Sequence, residues 1–245
     1  MIKFLVLKLL FIFDKYHQFK IFKFLKQKQI NNFEIFFDIG AHHGESILSF
    51  LKNFEVKKIV SFESSPVNFE TLKKNLPSLK SKFKDTDIQI NNITLGAENK
   101  IGNLKQINES SSSTLNKINV NSNYFKKKQQ LLYGRKNTNF YKEFEIKIST
   151  LSDYIANNNF KNIDFIKIDT EGYEYEILKG LEEEFKIVKF IMFEHHYDDM
   201  LLKNYTFSNI HQLLKQNNFQ KFYKAKMPFR KTFEYIYINK NNFLK

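Results

Sequence analysis

The amino-acid sequence predicts an α/β protein whose sheet is mostly parallel and carries helices on both faces. Beyond residue 30, strand-like and helix-like segments alternate along the chain, which is typical of parallel strands joined by crossover helices. Several strand-like segments are almost continuously apolar, as expected for strands that are covered on both faces. The C-terminal tail instead alternates like two antiparallel strands connected at Met227-Pro228, and it predicts an antiparallel last strand.

The first half of the alternating region begins with a buried strand that ends at a glycine turn. A helix further along begins at Ser65 and Pro66, because serine is a favoured N-cap and proline fits the first helical position. In chain order, the predicted elements are the strand FEIFFDIG, the helix ESILSFLKNF, the strand VKKIVSFES, the helix VNFETLKKNL and the strand DIQINNITLG.

Residues 97–143 interrupt this alternation. The segment is rich in Ser, Asn and Lys and shows no sustained hydrophobic period. Insertions of this length in a compact domain are usually functional loops or poorly ordered segments. We therefore expect an irregular insertion here, acting as a loop or lid beside the functional site.

Regular structure is predicted again from residue 143 onward. The elements are the strand and short helix EFEIKISTLSDYI, the strand, turn and helix IDFIKIDTEGYEYEILKGL, the strand FKIVKFIMFEHH, the helix FSNIHQLLKQNNF and the two tail strands. We assign residues 31–245 to one domain, and residues 1–30 to a separate N-terminal helical segment.

The N-terminal segment has the pattern of a basic amphipathic helix, with Lys8, Lys15 and Lys26 on one side. Its apolar part is much shorter than the ~20 residues that a membrane span needs, and no cleavage site of a signal peptide follows it. We favour a helix that packs on the domain or on a partner subunit. The alternative is a helix that lies on an anionic membrane. We expect a cytoplasmic protein, and contact of residues 1–30 with the inner face of the membrane is an open alternative.

The formal net charge of +13 suggests a nucleic-acid or membrane-surface partner, but the residue types weaken that interpretation. The basic residues are nearly all lysines, whereas arginine, which reads guanine and stacks on bases, stands only at positions 135 and 230. We favour a solvated lysine surface and expect no nucleic-acid partner. A non-catalytic protein that binds nucleic acid or a membrane surface is the alternative function. The chain has no cysteine, which excludes disulfides and thiolate chemistry.

Candidate functional residues follow the first two predicted strands. In open parallel sheets, ligands bind beyond the carboxyl ends of the strands, where the strand order reverses. The stretch FFDIGAHHGES ends the first strand and contains Asp38, Gly40 and Gly44, and Glu63 ends the second strand. The glycines would let the backbone approach a cofactor, and Glu63 is positioned to accept hydrogen bonds from both hydroxyls of a ribose. These residues predict a nucleoside cofactor.

The glycine spacing and Asp38 discriminate between nucleoside cofactors. The G-x-G-x-x-G run of dinucleotide sites is absent, which disfavours an oxidoreductase that uses a nicotinamide cofactor. The Asp38 carboxylate would repel a pyrophosphate, but it suits the cationic amino group of a methionine-type cofactor. A sulfonium-bearing cofactor is therefore the better electrostatic fit.

Several blocks of the sequence then point to one protein family. In chain order they are FFDIGAHHGES, VSFESSPVNFETLKKNL, ITLGAENKIGNL, SSSSTL, ISTLSDYI, IDFIKIDTEGYEYEILKG and IMFEHH. Their order and spacing, between about Glu34 and Asp199, resemble the FkbM family of methyltransferases, and DFIKIDTEG is the most specific block. The resemblance implies a Rossmann-like class I methyltransferase fold, with a mostly parallel seven-stranded sheet and an antiparallel last strand. It also implies S-adenosylmethionine as the cofactor and O-methylation of a hydroxyl on a sugar, a glycan or a related natural product.

The same resemblance implies particular cofactor contacts. Carried over position by position, they are Asp38, Gly40, His42, Gly44, Glu63, Asn92, Glu98 and Asp169. Glu63 would bind the ribose, and residues 91–94 with Glu98 would lie near the adenine. The sequence departs from the family at Ala97, where an acid is common, and at the pair His42-His43, which replaces small or amide residues.

Methyl transfer from a sulfonium to oxygen is an in-line displacement that requires alignment and a route for the hydroxyl proton. A histidine or a carboxylate would serve as the base, and the catalytic candidates are Asp169, Glu194, His195 and His196, at the carboxyl ends of adjacent strands. Because side chains alternate along a strand, one of the two histidines would face away from the cleft. We predict no metal ion, although Asp169, Glu194 and a histidine would offer suitable ligands.

Overall fold

A computed structural model of the chain describes residues 2–107, 113–133 and 141–243; for residues 2–12, 128, 131–133 and 242–243 it describes the backbone alone. The helices are α1 (Ile2–Gln27), α2 (Glu45–Leu51), α3 (Pro66–Lys82), α4 (Asn123–Tyr133), α5 (Leu151–Asn157), α6 (Glu174–Lys179), α7 (Phe207–Gln216) and α8 (Lys240–Phe243). The strands are β1 (Asn32–Ile39), β2 (Glu55–Phe62), β3 (Asp87–Asn91), β4 (Thr94–Gly96), β5 (Lys100–Ile107), β6 (Ser113–Thr114), β7 (Lys117–Ile118), β8 (Tyr141–Thr150), β9 (Ile163–Ile168), β10 (Val188–His196), β11 (Leu201–Leu202), β12 (Phe219–Lys226) and β13 (Thr232–Asn239). A short 3-10 helix, Glu182–Ile187, precedes β10.

Seven strands form the central sheet in the order β3-β2-β1-β9-β10-β13-β12. The strands β3, β2, β1, β9 and β10 are parallel, and β13 runs antiparallel to both of its neighbours. The predicted fold class, a mostly parallel sheet with an antiparallel last strand, is therefore confirmed. The strand order reverses between β1 and β9, which places the switch point at the carboxyl ends of these two strands.

The sheet is covered on both faces, and β1 illustrates why its sequence is almost continuously apolar. Phe36 and Phe37 are both completely buried, but they belong to hydrophobic clusters on opposite faces of the sheet. The cluster around Phe36 includes residues of α1, α2 and α3, and the cluster around Phe37 includes residues of α5, α6 and α7. Alternating side chains of a doubly covered strand are all buried, so no polar period remains.

The carboxyl-terminal half of α1 packs on the domain. Ile21 and Leu25 are buried in the same cluster as residues of α2 and α3, and His17 is buried as well. This packing agrees with the favoured interpretation of the N-terminal helix for the residues whose side chains are described. Within the described residues, none of the helices combines the length and the apolarity that a membrane crossing requires.

The segment 97–143 is more regular than the sequence predicts. β5 and β8 pair antiparallel within a second sheet of four strands, in the order β4-β8-β5-β6. The helix α4 lies between β7 and β8 in the chain. Much of β5 is exposed, so one-sided burial in a Lys- and Asn-rich strand hides its hydrophobic period. The predicted strand DIQINNITLG is likewise divided, because β3 joins the central sheet and β4 joins the second one. Residues 108–112 and 134–140 of this segment lie outside the described residues.

Candidate active site

A cavity of about 650 Å³ lies at the carboxyl ends of β1, β2, β9 and β10. Its volume is in the range of pockets that bind cofactors and small substrates, roughly 300–1,000 Å³. The second sheet and α4 contribute to the wall through Leu104, Thr114 and Tyr124. The site therefore opens where the sequence predicts it, and part of segment 97–143 lies beside it.

The loop after β1 depends on Gly40 and Gly44 for packing. Both have positive φ angles, 88° and 96°, which glycine adopts at no steric cost. A Cβ on Gly40 would lie 1.9 Å from the carbonyl oxygen of Asp169, and a Cβ on Gly44 would lie 3.0 Å from Leu72 Cδ1. The sequence predicts that these glycines let a cofactor approach, whereas the structure gives them tight contacts with protein atoms.

Glu63 is held at the cavity wall by backbone donors. Its two carboxylate oxygens accept hydrogen bonds from the backbone N–H groups of His42, at 2.8 Å, and Ser65, at 2.9 Å. Burial raises the pKa of Glu63, and these backbone donors oppose that rise. The Asn68 side chain donates a third hydrogen bond, and a carboxylate offers about four acceptor positions, so about one remains for a donor in the cavity. A hydroxyl group is a donor that fits this position.

Asp38 lies behind the loop rather than in the cavity wall. It is completely buried and accepts a hydrogen bond from the Ser46 hydroxyl, and Lys167 Nζ lies 3.8 Å from its Oδ1. Burial raises the pKa of Asp38, although Lys167 and Ser46 act in the opposite direction. The sequence predicts that this carboxylate faces the amino group of the cofactor. The structure instead pairs it with a lysine of the protein.

Lys167 connects the loops after β1 and β9. Its Nζ lies 3.1 Å from Asp169 Oδ2, and the lysine is buried in a mostly apolar strand. Burial lowers the pKa of Lys167, but the negative charges of Asp169 and Asp38 outweigh burial and the net shift is upward. A buried, charged lysine thus stabilises two carboxylates at the switch point. It is the most informative site residue that the sequence analysis missed, since a lysine in a buried strand needs an acidic partner.

Asp169 and Glu194 form a carboxyl pair at the cavity, in which Glu194 is buried and Asp169 is partly exposed. Burial and the neighbouring Asp169 charge raise the pKa of Glu194 well above its ordinary value. Burial also acts to raise the pKa of Asp169, but Lys167 outweighs it and the net shift is downward. Glu194 is therefore the more readily protonated member of the pair.

His196 extends this cluster. Its Nε2 lies 3.4 Å from Glu194 Oε1 and 3.5 Å from Glu171 Oε2, and Nδ1 lies 3.2 Å from the Thr232 hydroxyl. Among the described residues, the buried Nε2 has no hydrogen-bond partner. Burial lowers the pKa of His196, but Asp198 and Glu171 raise it more, so the net shift is upward. The ring presents a titratable nitrogen among the carboxylates of the cavity wall.

His195 occupies a different environment. Its ring contacts Tyr197, at 4.7 Å between centroids, and Phe207, at 5.8 Å. Burial lowers the pKa of His195 to about 3, which keeps the imidazole neutral. His195 does not line the cavity, whereas His196 does, as expected from the alternation of side chains along β10.

The structure does not bring the predicted adenine residues Asn92 and Glu98 into the cavity wall. Asn92 is exposed and donates to the backbone carbonyl of Glu63 at 2.7 Å. Glu98 is exposed and pairs with Lys100 at 2.8 Å. In this region the cavity is lined instead by Ile93, Thr94, Leu95 and Tyr173. These mostly apolar side chains offer a surface on which the flat faces of an adenine ring would pack, and such packing needs no carboxylate.

His42 is the one member of the histidine pair that lines the cavity. Its Nδ1 lies 2.9 Å from Glu45 Oε2, and its ring stacks on His43 with 3.7 Å between centroids. The φ angle of His42 is 52°, so the loop turns sharply here. Through its backbone N–H, His42 also orients Glu63. The residue thus shapes the part of the loop nearest to the predicted ribose site.

The strand order, the cavity at the switch point and the acidic residue after β2 together define a Rossmann-like class I methyltransferase fold. The crystal structure of a methyltransferase FkbM from Methylobacillus flagellatus KT is similar, with a TM-score of 0.54 and 15% identity. The similarity covers 84% of this chain and 43% of that chain. At this identity, it shows the shared fold alone.

The model of the methyltransferase FkbM domain matches residues 38–221, and the chain belongs to this family. Methyltransferase 1 of Beauveria bassiana (strain ARSEF 2860) is 23% identical to it over 158 residues, which are 60% of this chain and 58% of that protein. The chain thus spans less than two thirds of this relative. The cofactor of the family is S-adenosylmethionine.

Proposed function

We propose that the protein transfers a methyl group from S-adenosylmethionine to a hydroxyl of a sugar or glycan. The observation that carries this proposal is the cluster of Asp169, Glu194 and His196 at the cavity wall, where His196 Nε2 lies within 3.5 Å of the carboxylates of Glu171 and Glu194. A hydroxyl is neutral and must lose its proton as it is methylated. The cluster supplies groups that accept a proton next to the space for a substrate.

The proposed roles follow from the contacts. The cofactor supplies an electrophilic methyl group. In its neutral form, His196 accepts the hydroxyl proton at Nε2, and the Glu171 carboxylate stabilises the imidazolium that results. Thr232 and Asp198, on the Nδ1 side of the ring, hold its orientation. Glu63 binds the ribose, which places the cofactor between β2 and the cluster.

The charges in the cavity favour an uncharged polar acceptor. Lys167 pairs with Asp169 at 3.1 Å, and Arg230 pairs with Asp14 at 3.0 Å. Lys127 is a further lining cation, but the described wall carries more carboxylates than lysines and arginines, whereas a nucleic-acid channel needs an excess of cations for phosphates. The net charge of +13 therefore does not describe the cavity.

The alternative is a non-catalytic protein that binds nucleic acid or a membrane surface, with α1 as the contact. The packing of Ile21 and Leu25 in the core supports the enzyme over this alternative, because a surface anchor would leave them exposed. Two binding assays test this alternative directly, one with vesicles of anionic lipid and one with a nucleic-acid duplex. Salt-sensitive binding to either one, together with no binding of the cofactor, would favour the alternative.

Two measurements test the proposed function. Calorimetry with S-adenosylmethionine and S-adenosylhomocysteine should give binding at micromolar concentrations, and its absence would contradict cofactor use. Transfer of a labelled methyl group to a panel of activated sugars should then give an acid-stable O-methyl product. If the protein binds the cofactor but methylates amines or nucleobases and no sugar, the proposed acceptor class is wrong.

A further inference from the structure

Part of the cavity wall comes from segments outside the region that the family model matches, residues 38–221. Asp14, His17 and Gln18 come from α1, and Arg230, Thr232 and Glu234 come from the start of β13 and the turn before it. In the central sheet, β13 is the fourth strand from β2, where Glu63 lies. The residues before and in β13 are therefore far from the predicted ribose site and beside β10, which carries the catalytic cluster. The residues of α1 contact both sides, because Asp14 pairs with Arg230 and Gln18 is hydrogen-bonded to Ser49 of α2.

A buried hydrogen bond joins the two segments. His17 Nε2 lies 3.0 Å from Glu234 Oε2, and both residues are more than nine-tenths buried. The residues are 217 positions apart in the sequence. A buried carboxylate without a partner is costly, so the histidine stabilises Glu234 in the cavity wall.

Glu234 stands beside the catalytic cluster. In the antiparallel pairing of β10 and β13, it is the direct cross-strand partner of Glu194. Directly paired side chains in a sheet lie about 5 Å apart and point to the same face. His17 therefore acts on the cluster indirectly, through its hydrogen bond to Glu234.

The polar groups of this wall are mixed and largely compensated. Arg230 pairs with Asp14 at 3.0 Å, and Gln18 accepts a hydrogen bond from Ser49 through its oxygen, which leaves its amide N–H groups for a ligand. Carboxylate acceptors thus alternate with guanidinium and amide donors. Neighbouring hydroxyls, each both donor and acceptor, match such a wall, whereas a charged ligand would disturb its pairs.

We propose that α1 and the start of β13 form the acceptor subsite. This subsite takes a neutral polyhydroxylated ring. His17 is a positioning residue that holds the Glu234 side chain toward that ring. The inference rests on the proposed function and names where its acceptor binds. It also assigns specificity to residues that the family match does not include.

The experiment measures two ligands on the full chain. S-adenosylhomocysteine binding is measured by calorimetry, and a panel of methyl glycosides is titrated by NMR onto protein saturated with S-adenosylhomocysteine. The variants are His17→Ala, His17→Gln and Glu234→Gln. The matched control is His211→Ala, because His211 is also hydrogen-bonded, to the Tyr237 hydroxyl at 2.8 Å, but does not line the cavity.

Wild type should bind at least one methyl glycoside. His17→Ala should weaken that binding by about ten-fold or more, while binding of S-adenosylhomocysteine and glycoside binding by His211→Ala stay unchanged. His17→Gln should restore part of the loss, since its amide can donate to Glu234. If His17→Ala does not fold, Glu234→Gln gives the same comparison with an isosteric side chain.

Two results would overturn the inference. One is S-adenosylhomocysteine-loaded wild type that binds none of the glycosides, which would leave the methyltransferase function standing and reject the ligand class. The other is glycoside binding that His17→Ala and Glu234→Gln leave unchanged. Failure of S-adenosylhomocysteine to bind wild type would instead reject the proposed function itself, and this inference with it.

Discussion

The carbonyl oxygen of Asp169 occupies the space beside Gly40 where any other residue would carry its Cβ, 1.9 Å from that position. The backbone N–H of Asp169 donates to the carbonyl of Ile39 at 2.9 Å, so Asp169 contacts two successive residues, Ile39 and Gly40, through its backbone. The loop predicted to hold the cofactor and the loop that carries the Asp169 carboxylate are therefore packed directly on each other. This contact fixes the position of Asp169 relative to the glycine loop.

Gly40→Ala should destabilise the protein strongly. The variant combines an unfavourable positive φ with a clash against backbone, and together these should cost about 3 kcal/mol or more. Gly44→Ala is the matched comparison, because it has a similar φ but its Cβ would meet only the ends of flexible side chains, Leu72 at 3.0 Å and Leu79 at 3.3 Å. Its cost should be about 1–2 kcal/mol. Denaturant unfolding measures both free energies. Equal losses in the two variants would show that the Asp169 contact carries no special weight.

Replacing Glu63 by Ala should weaken cofactor binding by about 1.5–3 kcal/mol, because charge-assisted hydrogen bonds to the ribose are lost. Calorimetry with S-adenosylhomocysteine measures this change. Glu98→Ala is the control, since Glu98 is exposed and outside the cavity wall. The ribose role would be rejected by an unchanged affinity in Glu63→Ala, and the predicted adenine role of Glu98 would be restored by a clear loss in Glu98→Ala.

Glu194→Gln should slow methyl transfer by about a hundred-fold while changing how stability depends on pH. The amide cannot take up a proton from His196 Nε2, which lies 3.4 Å from Glu194 Oε1, so the cluster loses one of its proton-accepting groups. Because the folded-state pKa of Glu194 is raised, its stabilising contribution is complete below the unfolded pKa and is lost as pH rises through the folded value. The variant lacks this loss, so its stability should exceed that of wild type at high pH. Urea unfolding across pH checks the sign, and parallel curves would contradict it.

Asp198→Asn should move the pH profile of the rate to lower pH. His196 must be neutral to accept a proton, so the rate should rise as pH passes its pKa, which lies above the usual value. Asp198 helps to raise that pKa, and its removal lowers it. Asp199→Asn, the same substitution on the neighbouring exposed residue, should leave the profile in place. An unshifted profile in Asp198→Asn would remove His196 from the role of base.

The central sheet can be predicted from the sequence because its buried strands leave a simple signal. Phe36 and Phe37 show it, since successive side chains of a strand covered on both faces are buried and mostly apolar. The same argument locates Glu63, Asp169 and Glu194, which stand where those apolar runs end. Strand β5 gives no such signal, because only three of its eight residues are buried and its composition is that of a loop.

The site residues contributed over long range escape prediction for a different reason. His17 and Glu234 are paired only through the tertiary structure, and neither stands at the end of a parallel strand. The role of Asp38 also depends on a neighbour that sequence spacing does not reveal, because Lys167 lies on the adjacent strand β9. Spacing along the chain predicts which residues stand at the ends of strands, but it does not predict which charged side chain of another strand lies beside each of them.

The direction of β13 has a consequence for how the proposed acceptor specificity would change. Since β13 runs against its neighbours, its first residues, and not its last, reach the cavity, and Met227 and Arg230 before it also line the wall. Lengthening or shortening the turn at residues 227–231 would reshape this part of the wall while leaving the glycine loop and Glu63 untouched. Under the proposed function, new acceptor preferences would then arise beside the last strand of the sheet, independently of the residues proposed to bind the methyl donor.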